Sequence, residues 1–508
     1  MMMNKIKTLE QISLELKKLK GEGKTIIHCH GVFDLLHPGH LHHFQSASEL
    51  GDILVVTTSP DHYVNKGPGR PVFNQRLRAE FLAALEIIDY VAINETPSAV
   101  ETILLLRPNI YVKGIEYKNL HDLTGHIAKE KKAILEVGGE LVFVGDTAYS
   151  STTLINQYFS ILTPQTQSYL AKFKDSYNIE YILGQIDFLE KKKVLIVGET
   201  IIDEYLFCQS LGISNKSSCI DARYLEKEIH LGGAAGIAKH LAGFCQEVHF
   251  VTYLEKEGEH VNFVRNNLDS SVNFKPMFTS YQSSVTKQRF LTNKQKPSSQ
   301  IFELTKLNID QTKSNVEHEM CLYLNQVACN YDLVIVADYG YNAIGDRLAK
   351  NLCELNTYLT ISAQTNSYNL GSNLLTKYSK ADYICADIPE LRLALGHSAV
   401  SKTELVLRLS NKLHCPFISI TLGDQGSLNW SEKKGFFEST AFTTEVVDAI
   451  GASSAYFGIT SLCANSGFSP MLVGFIGNCV GAMMVRTLGH REYISSSALK
   501  SFITALLK

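Results

Sequence analysis

Short apolar runs rich in β-branched residues alternate with longer segments of helical periodicity between residues 24 and 156. These runs predict five strands, at Thr25–Cys29, Ile53–Thr58, Tyr90–Ile93, Ile110–Lys113 and Leu141–Val144. Strands that alternate with helices are typical of a doubly wound parallel sheet. Because ligands of such sheets bind beyond the carboxyl ends of the strands, we expect the chemistry in the loops that follow them.

The same pattern divides the rest of the chain into three segments. Residues 1–23 predict an amphipathic helix, residues 157–193 a polar helical connector, and residues 194–508 a second α/β domain that opens with the strand Val194–Val197. The longest apolar run, Met471 to Val485, is shorter than the ~20 residues that span a bilayer, so it predicts a buried core helix. We therefore expect two doubly wound α/β domains and no membrane partner.

Composition narrows the class of protein without naming an activity. A chain of 508 residues, with 45% hydrophobic and 19% charged residues, is typical of a globular protein of two or three domains. The net charge of -3 argues against a nucleic-acid partner. Eleven cysteines without a paired spacing argue against a zinc site and indicate reduced thiols, as in the cytoplasm.

The strongest chemical signal lies between Gly31 and His40, directly after the first predicted strand. This stretch places His37 and His40 around Gly39, where a strand gives way to a helix. A helix N-terminus offers unpaired N–H groups and a partial positive charge, and a glycine lets a polyphosphate approach the backbone. The stretch therefore predicts a phosphate site to which the two imidazoles add donors, whereas the neighbouring His42 and His43 are interpreted as surface residues.

Later loops add cations and hydroxyl groups to the same edge of the predicted sheet. A glycine- and proline-rich loop with two cations follows the second strand, a lysine ends the fourth, and hydroxyls follow the fifth. The residues concerned are Lys66, Arg70, Arg76, Lys113, Ser151, Thr152 and Thr153. Lys66 is the best-placed cation for a triphosphate clamp, and the hydroxyls fit either helix caps or a second phosphate contact.

With these loops, residues 24–156 resemble the HxGH nucleotidylyltransferases, in particular the nucleotidylyltransferase domain of the bifunctional ADP-heptose synthesis enzymes. The resemblance implies a Rossmann-like fold that transfers a nucleotidyl group from ATP or CTP to a sugar 1-phosphate, with a heptose 1-phosphate foremost. It assigns catalysis to His37, His40, Lys66 and Lys113, and nucleotide binding to Gly31, Phe33, Gly39, Arg76, Ser151, Thr152 and Thr153. Mg²⁺ would be bound mainly through phosphates and water, with no protein-held metal site.

The residue types suit such a transfer. A phosphate oxygen is already a nucleophile, so neither a covalent intermediate nor a strong base is required, and positioning and charge neutralisation do most of the work. We therefore expect His37 and His40 to hold the α- and β-phosphates while Lys66 and Lys113 neutralise charge.

A second ordered set of motifs follows Val194. Its members are Gly198 to Tyr205, Leu231 to Ile237, Val285 to Lys287, Val334 to Gly340, Asp387 to Glu390, Thr421 to Gly426 and Val447 to Ser454. Together these motifs resemble the ribokinase-like (PfkB) sugar kinases, which implies a C-terminal ribokinase-like fold. The resemblance places sugar contacts at Asp203, Gly232 and Gly233, metal and phosphate contacts at Asp387 and Glu390, nucleotide contacts at Gly423 and Gly426, and the signature segment at Gly451 to Ser454.

This second domain departs from the kinase pattern at the reacting groups. Ser454 stands where the family has the aspartate that takes the proton from the sugar hydroxyl, and a serine cannot act as that base near neutral pH. Gly236 replaces a usual asparagine, and Ser362 to Thr365 replace an aspartate-proline-lysine run. Asp448 lies at the wrong place to be assumed a substitute base. We therefore expect little or no kinase activity, with binding of a sugar phosphate or nucleotide, or support of oligomerisation, as other roles.

The leading interpretation is a cytoplasmic sugar-1-phosphate nucleotidylyltransferase that supplies an activated sugar for surface polysaccharide. Its partners would be a nucleoside triphosphate and a sugar phosphate, and the family suggests a homo-oligomer. Three alternatives stay open: a bifunctional kinase and nucleotidylyltransferase, a cytidylyltransferase for a non-sugar phosphate, and a non-enzymatic nucleotide-binding protein. The domain order, with the kinase-like half second, is expected to be reversed relative to the commoner bifunctional enzyme. The choice between ATP and CTP, the sugar and its anomer stay undetermined.

Overall fold

The computed structural model describes residues 5–64, 66–117, 126–144, 162–256, 259–279, 284–292, 300–307, 314–396, 400–443 and 445–508. The chain divides into two compact units, the first formed by Met1–Thr163 with Ser497–Lys508 and the second by Pro164–Ser496. Within the described ranges, no helix has both the length and the apolar character needed to cross a membrane. All eleven cysteines are free thiols.

The first unit is a doubly wound parallel sheet, as the alternation of strands and helices predicted. Its helices are α1 (Leu9–Gly21), α2 (Pro38–Ser48), α3 (Gln75–Ala83), α4 (Val100–Leu106) and α5 (His126–Glu136). Its strands are β1 (Ile26–Gly31), β2 (Ile53–Thr58), β3 (Tyr90–Ile93), β4 (Ile110–Gly114) and β5 (Glu140–Val144). They pair in the order β3-β2-β1-β4-β5, every pair parallel.

The order of these strands reverses direction between β1 and β4, which are neighbours in the sheet. At such a switch point the loops leave the sheet on opposite sides, and a crevice opens beyond the carboxyl ends of the strands. The segment from Gly31 to His40 and the residue Lys113 both lie there. Apolar side chains anchor this edge, with Ile27 and Cys29 of β1 packed in one core cluster with Phe44 of α2.

The second unit contains two sheets surrounded by helices. Its helices are α6 (Pro164–Ser176), α7 (Ile179–Leu189), α8 (Gly233–Leu241), α9 (Glu259–Asn267), α10 (Ser314–Val327), α11 (Asp346–Glu354), α12 (Ile388–Leu395), α13 (Lys402–Leu413), α14 (Ala452–Asn465) and α15 (Pro470–Met484). Its strands are β6 (Lys193–Gly198), β7 (Thr200–Ile213), β8 (Ile220–Gly232), β9 (Glu247–Glu255), β10 (Val272–Thr279), β11 (Val285–Leu291), β12 (Gln300–Lys306), β13 (Leu333–Asp338), β14 (Tyr358–Ala363), β15 (Tyr383–Asp387), β16 (Phe417–Thr421), β17 (Ser427–Ser431) and β18 (Gly435–Ser439). The last helix of the chain, α16 (Ser496–Leu507), belongs to the first unit apart from its first residue.

The larger sheet of the second unit has the order β10-β9-β6-β13-β14-β15-β16-β17-β18. It is parallel from β10 to β16 and antiparallel at β17 and β18. The smaller sheet has the order β12-β11-β7-β8 and carries Asp203 on β7. Helix α15 is buried along most of its length, so the apolar run that begins at Met471 is a core helix, as predicted.

Candidate active site

The turn from β1 to α2 has an unusual backbone that brings two imidazoles together. Phe33 and Leu35 both have a φ of 49°, in the left-handed region that residues other than glycine rarely adopt. A Cβ atom at Gly31 would lie 3.0 Å from the ring of Phe33, so the glycine leaves room for this ring. Phe33 is buried and contacts His40 edge to face, with ring centroids 5.6 Å apart.

His37 and His40 occupy the N-terminus of α2. His37 is the N-cap residue, and its Nδ1 accepts a hydrogen bond of 3.1 Å from the backbone N–H of Gly39. The two imidazole rings stack with centroids 4.0 Å apart. Because Nδ1 of His37 is an acceptor, the neutral ring carries its proton on Nε2 and offers that N–H to a ligand. Nδ1 of His40 is buried and has no hydrogen-bond partner.

Both histidines are held neutral at physiological pH. Burial, together with the charges of His37, Lys66 and His43, lowers the pKa of His40 to about 3. Burial and then the charge of Lys66 also lower the pKa of His37. The imidazoles therefore supply N–H donors, and Lys66 supplies positive charge within electrostatic reach of both rings. His42 is exposed, as expected, but His43 is half-buried, and burial with the charge of Lys113 lowers its pKa to about 4.

Asp34 joins the histidine turn to the loop that carries Lys66. Its carboxylate accepts hydrogen bonds from the backbone N–H groups of Val72 at 2.8 Å and Phe73 at 3.1 Å. It also forms an ion pair with Arg70 at 3.7 Å, in which both side chains are buried. The two loops of the candidate site are thus one connected structure rather than two independent turns.

Arg78 is the residue that sequence reasoning missed. Its guanidinium is fully buried and donates to the carbonyl groups of Val32 at 2.6 Å, Phe73 at 2.9 Å and Ser59 at 2.7 Å. It also forms an ion pair of 2.7 Å with Asp61. This side chain therefore connects the loop after β1 with both ends of the loop between β2 and α3. The signal was available, because Arg78 lies four residues before the buried Leu82 on one face of α3.

Arg76, which the resemblance assigned to nucleotide binding, lies on the exposed face of α3. Its side chain is 80% exposed and forms an i,i+4 ion pair of 3.0 Å with Glu80. The three hydroxyl residues Ser151, Thr152 and Thr153 lie outside the described residues.

Lys113 lies at the end of β4, next to β1. Its Nζ is 3.5 Å from the carbonyl oxygen of His30 and 3.1 Å from Oε2 of the buried Glu130. This partner compensates much of the charge of Lys113. The charge of Lys66 acts on the histidine pair. Mg²⁺ prefers carboxylate oxygens as ligands. The buried carboxylates of Asp34 and Glu130 already form ion pairs, with Arg70 and Lys113 respectively. Across the described residues, no group of three or more potential ligands is arranged to hold a metal.

In the second unit, Asp203 and the two glycines at the start of α8 are brought together. A Cβ atom at Gly232 would lie 2.0 Å from Oδ2 of Asp203, and Gly233 has a φ of +58°, so both positions require glycine. The carboxylate of Asp203 is buried and forms an ion pair with the guanidinium of Arg289.

The residues assigned to metal, phosphate and nucleotide contacts have local structural roles. Asp387 and Glu390 form a capping box at the start of α12, and burial together with the charge of Asp387 raises the pKa of Glu390 to about 7. Gly423 and Gly426 form the turn from β16 to β17. At Gly426 a Cβ atom would lie 2.0 Å from the carbonyl oxygen of Ser439.

The signature segment begins at Gly451, which has a φ of +86° and precedes α14. The hydroxyl of Ser454 is buried and lies 2.7 Å from Oη of Tyr339. Asp448 accepts hydrogen bonds from the Tyr205 hydroxyl at 3.1 Å and from the backbone N–H of Gly489 at 3.0 Å. Oδ2 of Asp448 therefore links Tyr205 to the backbone at Gly489, and the expectation that Asp448 is not a substitute base stays a prediction.

Comparison with known families divides the chain in the same way. The cytidylyltransferase-like family matches residues 28–179, and the pfkB family of carbohydrate kinases matches residues 191–491. Both halves of the expected resemblance are therefore found, in the order nucleotidylyltransferase-like and then kinase.

Curated relatives match only part of their own length. The bifunctional protein HldE of Nitratiruptor sp. is 43% identical over 137 residues, which cover 27% of this chain and 30% of the relative. That of Desulfatibacillum aliphaticivorans is 36% identical over 155 residues, which cover 30% of each chain. The chain thus spans about 30% of the length of these curated relatives. The expectation that the domain order is reversed relative to the bifunctional enzymes is corrected here. The comparison with these relatives gives no such reversal.

Among solved structures, phosphofructokinase-2 from Escherichia coli in complex with substrates and products matches with a TM-score of 0.50. It is 9% identical, and the match covers 62% of this chain and 100% of that structure. At this identity the likeness concerns the fold alone, which is ribokinase-like as expected.

Proposed function

Since the chain belongs to the pfkB family of carbohydrate kinases through residues 191–491 and has a cytidylyltransferase-like domain at residues 28–179, we propose that its chemistry resides in the first unit. That chemistry is transfer of a nucleotidyl group from ATP or CTP to a sugar 1-phosphate, with release of pyrophosphate. The observation that carries the proposal is the stacked pair of neutral imidazoles, His37 and His40, at the N-terminus of α2 with Lys66 in electrostatic reach.

The geometry suits a triphosphate. The N-terminus of α2 supplies backbone donors and a partial positive charge, and the Nε2–H of His37 adds a side-chain donor. A neutral donor is useful here because it stabilises phosphate oxygens without first requiring a proton from solvent. Lys66 adds a full positive charge to the same region, while the buried ion pair of Asp34 and Arg70 keeps the loop of Lys66 attached to the turn of His37.

In the proposed step an oxygen of the sugar 1-phosphate attacks the α-phosphorus, and the bond from that phosphorus to the bridging oxygen of the β-phosphate breaks. Negative charge increases on the leaving pyrophosphate, where His37, His40 and Lys66 would stabilise it. Mg²⁺ would arrive with the triphosphate, bound to phosphate oxygens and water, and would neutralise part of that charge. The binding energy of the site is therefore used to align the reactants and to stabilise the departing group.

We assign a heptose 1-phosphate as the first acceptor to test. Support comes from the 43% identity of the first unit to a bifunctional protein HldE and from its resemblance to the nucleotidylyltransferase domain of ADP-heptose synthesis enzymes. The product would be a nucleotide-activated heptose for surface polysaccharide. Lys113, paired with the buried Glu130, would position the end of β4 and contribute the remainder of its charge to the acceptor phosphate.

The second unit is proposed to have little or no kinase activity. Ser454 stands in place of the expected base, and its hydroxyl is bonded to Tyr339 rather than directed toward a substrate by a carboxylate. The loss of a general base costs ~10²–10⁴ in rate. A bifunctional kinase and nucleotidylyltransferase is the second candidate, which the pfkB match over residues 191–491 favours.

The experiment is pyrophosphate release by the full chain with ATP or CTP and a panel of sugar 1-phosphates that includes both heptose anomers. His40→Ala is expected to lower the rate ~10²–10³-fold, the usual effect of removing one donor to a developing oxyanion. His42→Ala is the matched control, because this histidine is exposed on the same helix two residues away. Equal rates for His40→Ala and wild type would overturn the proposal.

A further inference from the structure

Two glycines of the second unit lie against a single imidazole, that of His490. A Cβ atom at Gly236 would lie 2.8 Å from Cε1 of His490, and one at Gly451 would lie 2.8 Å from Nε2 of the same ring. Gly236 lies in α8, behind the double glycine, and Gly451 begins the signature segment before α14. The ring therefore fills the space between the two segments that the resemblance assigns to the sugar and to the reacting phosphate.

The His490 ring is held in one orientation. The backbone N–H of Ile494 donates to Nδ1 of His240 at 3.1 Å, so the proton of His240 is on Nε2. That Nε2 lies 3.3 Å from Nδ1 of His490, which must then accept the hydrogen bond. The preceding residue is fixed too, because its N–H donates to Asp448 at 3.0 Å. With only 3% of its surface exposed, His490 is part of the packed interior.

The carboxylate next to this ring already has a buried partner. Asp203, which the resemblance assigns to sugar hydroxyls, forms an ion pair with Arg289, and each side chain is 4% exposed. Arg289 also lies 3.0 Å from Glu303. The ion pair uses Oδ1 of Asp203, whereas Oδ2 faces Gly232, where a Cβ atom would lie 2.0 Å away. Oδ2 is therefore the oxygen that a sugar hydroxyl would reach, and Arg289 can stay in place.

We infer that the sugar pocket of the second unit is closed from within by His490, which makes this side chain the residue that decides whether the pocket admits a sugar. Gly236 belongs to the same arrangement, since the asparagine usual at this position in the resembling family would occupy the volume that the imidazole fills. The closure concerns binding by the second unit and goes beyond the nucleotidyl transfer proposed for the first.

The test is isothermal titration of the full chain with D-ribose and, separately, with D-fructose 6-phosphate. Wild type is expected to bind neither probe, and His490→Ala is expected to bind at least one of them more than tenfold more tightly. Adding Asp203→Asn to His490→Ala should abolish the gained binding. The matched control is His249→Ala. His249 lies on β9 and is equally buried, at 3% exposure, but its ring is hydrogen-bonded to Tyr331 and Tyr323.

Two results would overturn the inference: wild type that binds a probe as tightly as His490→Ala, or a folded His490→Ala chain that binds neither probe. Should His490→Ala fail to fold, wild type and Asp203→Asn decide. If wild type binds a probe and Asp203→Asn does not, the closure is contradicted. If wild type binds neither probe, the closure is supported. These measurements do not depend on nucleotidyl transfer, so a failure of the proposed function would be seen separately.

Discussion

Replacement of Arg78 by methionine tests the claim that one buried guanidinium holds the loops of the candidate active site together. Methionine keeps most of the apolar volume of the side chain but removes every donor. The carbonyl groups of Val32, Phe73 and Ser59 then lose the hydrogen bonds that Arg78 gives them, and Asp61 loses its ion-pair partner. The matched control is Arg76→Met, two residues away on the same helix.

The size of the effect follows from the burial of the two arginines. Arg78 is fully buried, whereas Asp61 is 39% exposed and can return to solvent, so the cost comes mainly from the three carbonyl groups that lose their donor. At about 1–3 kcal/mol for each unsatisfied acceptor, the total is at least about 3 kcal/mol. Arg76 is 80% exposed, and an exposed i,i+4 pair contributes about 0.3–0.5 kcal/mol. A tenfold change in an opening equilibrium corresponds to about 1.4 kcal/mol, so Arg78→Met should raise local opening by at least ~10²-fold.

Hydrogen–deuterium exchange followed by mass spectrometry can measure this opening for peptides that cover β1, β2 and the loops after them. We expect much faster exchange in Arg78→Met and near wild-type exchange in Arg76→Met. Nucleotide affinity should fall in Arg78→Met for the same reason. If the two variants exchange at the same rate, the reasoning from burial is wrong, and if only Arg76→Met loses nucleotide affinity, Arg76 is the contact that the resemblance assigned.

Three further predictions follow from the same structure. Asp34→Asn removes a buried charge from Arg70 and should cost about 3–5 kcal/mol in the free energy of unfolding while also lowering pyrophosphate release; an unchanged melting temperature would contradict this. Burial lowers the pKa of His28 to about 3, so below about pH 6.5 the unfolded chain takes up a proton that the folded chain excludes. The free energy of unfolding should therefore fall by ~1.4 kcal/mol for each pH unit below about 6.5 because of this residue. His28→Gln should reduce that slope in thermal denaturation, and an unaltered slope would argue against the prediction. Gly236→Ala should destabilise the second unit by about 1–3 kcal/mol because its Cβ would lie 2.8 Å from the His490 ring, whereas Gly481→Ala, with nothing within 4 Å, should be neutral or stabilising; denaturation curves that coincide would refute the packing.

The parallel sheet of the first unit was predictable because each strand is a continuous apolar run between polar segments. The observed β2 and β3 have the predicted limits. β1 begins one residue and ends two residues later than predicted, and β4 and β5 are each one residue longer than predicted. Burial of both faces of a central strand makes this signal strong. The position of the histidine motif beyond β1 followed from the same pattern, since the turn comes where the apolar run ends.

The choice between two arginines was not predictable from the motif alone. Arg76 and Arg78 both follow the glycine-rich loop, but a helix turns by about 100° per residue, so positions two apart face opposite directions. The buried Ala79, Leu82 and Ala83 define the inner face of α3, and Arg78 belongs to it. A charged residue on an apolar face was the available signal of a positioning role.

The packing of His490 could not be inferred from sequence because its partners are distant along the chain. Gly236 was recognised as a departure from the kinase pattern, but a missing side chain does not reveal what fills its place. The structure supplies the answer, an imidazole from the loop after α15, 254 residues further on. Long-range complementarity of this kind is a property of the packed interior rather than of any local motif.

The most direct test of the central claim is to follow each phosphate of the nucleotide. The full chain is incubated with a heptose 1-phosphate and with ATP or CTP that carries a radiolabel at either the α- or the γ-phosphate. The account predicts that α-label appears in a phosphatase-resistant sugar product and that γ-label appears only in pyrophosphate. His40→Ala is expected to slow the appearance of α-label in the sugar product ~10²–10³-fold. Absence of α-label from any sugar product, or transfer of γ-label to a sugar, would contradict it.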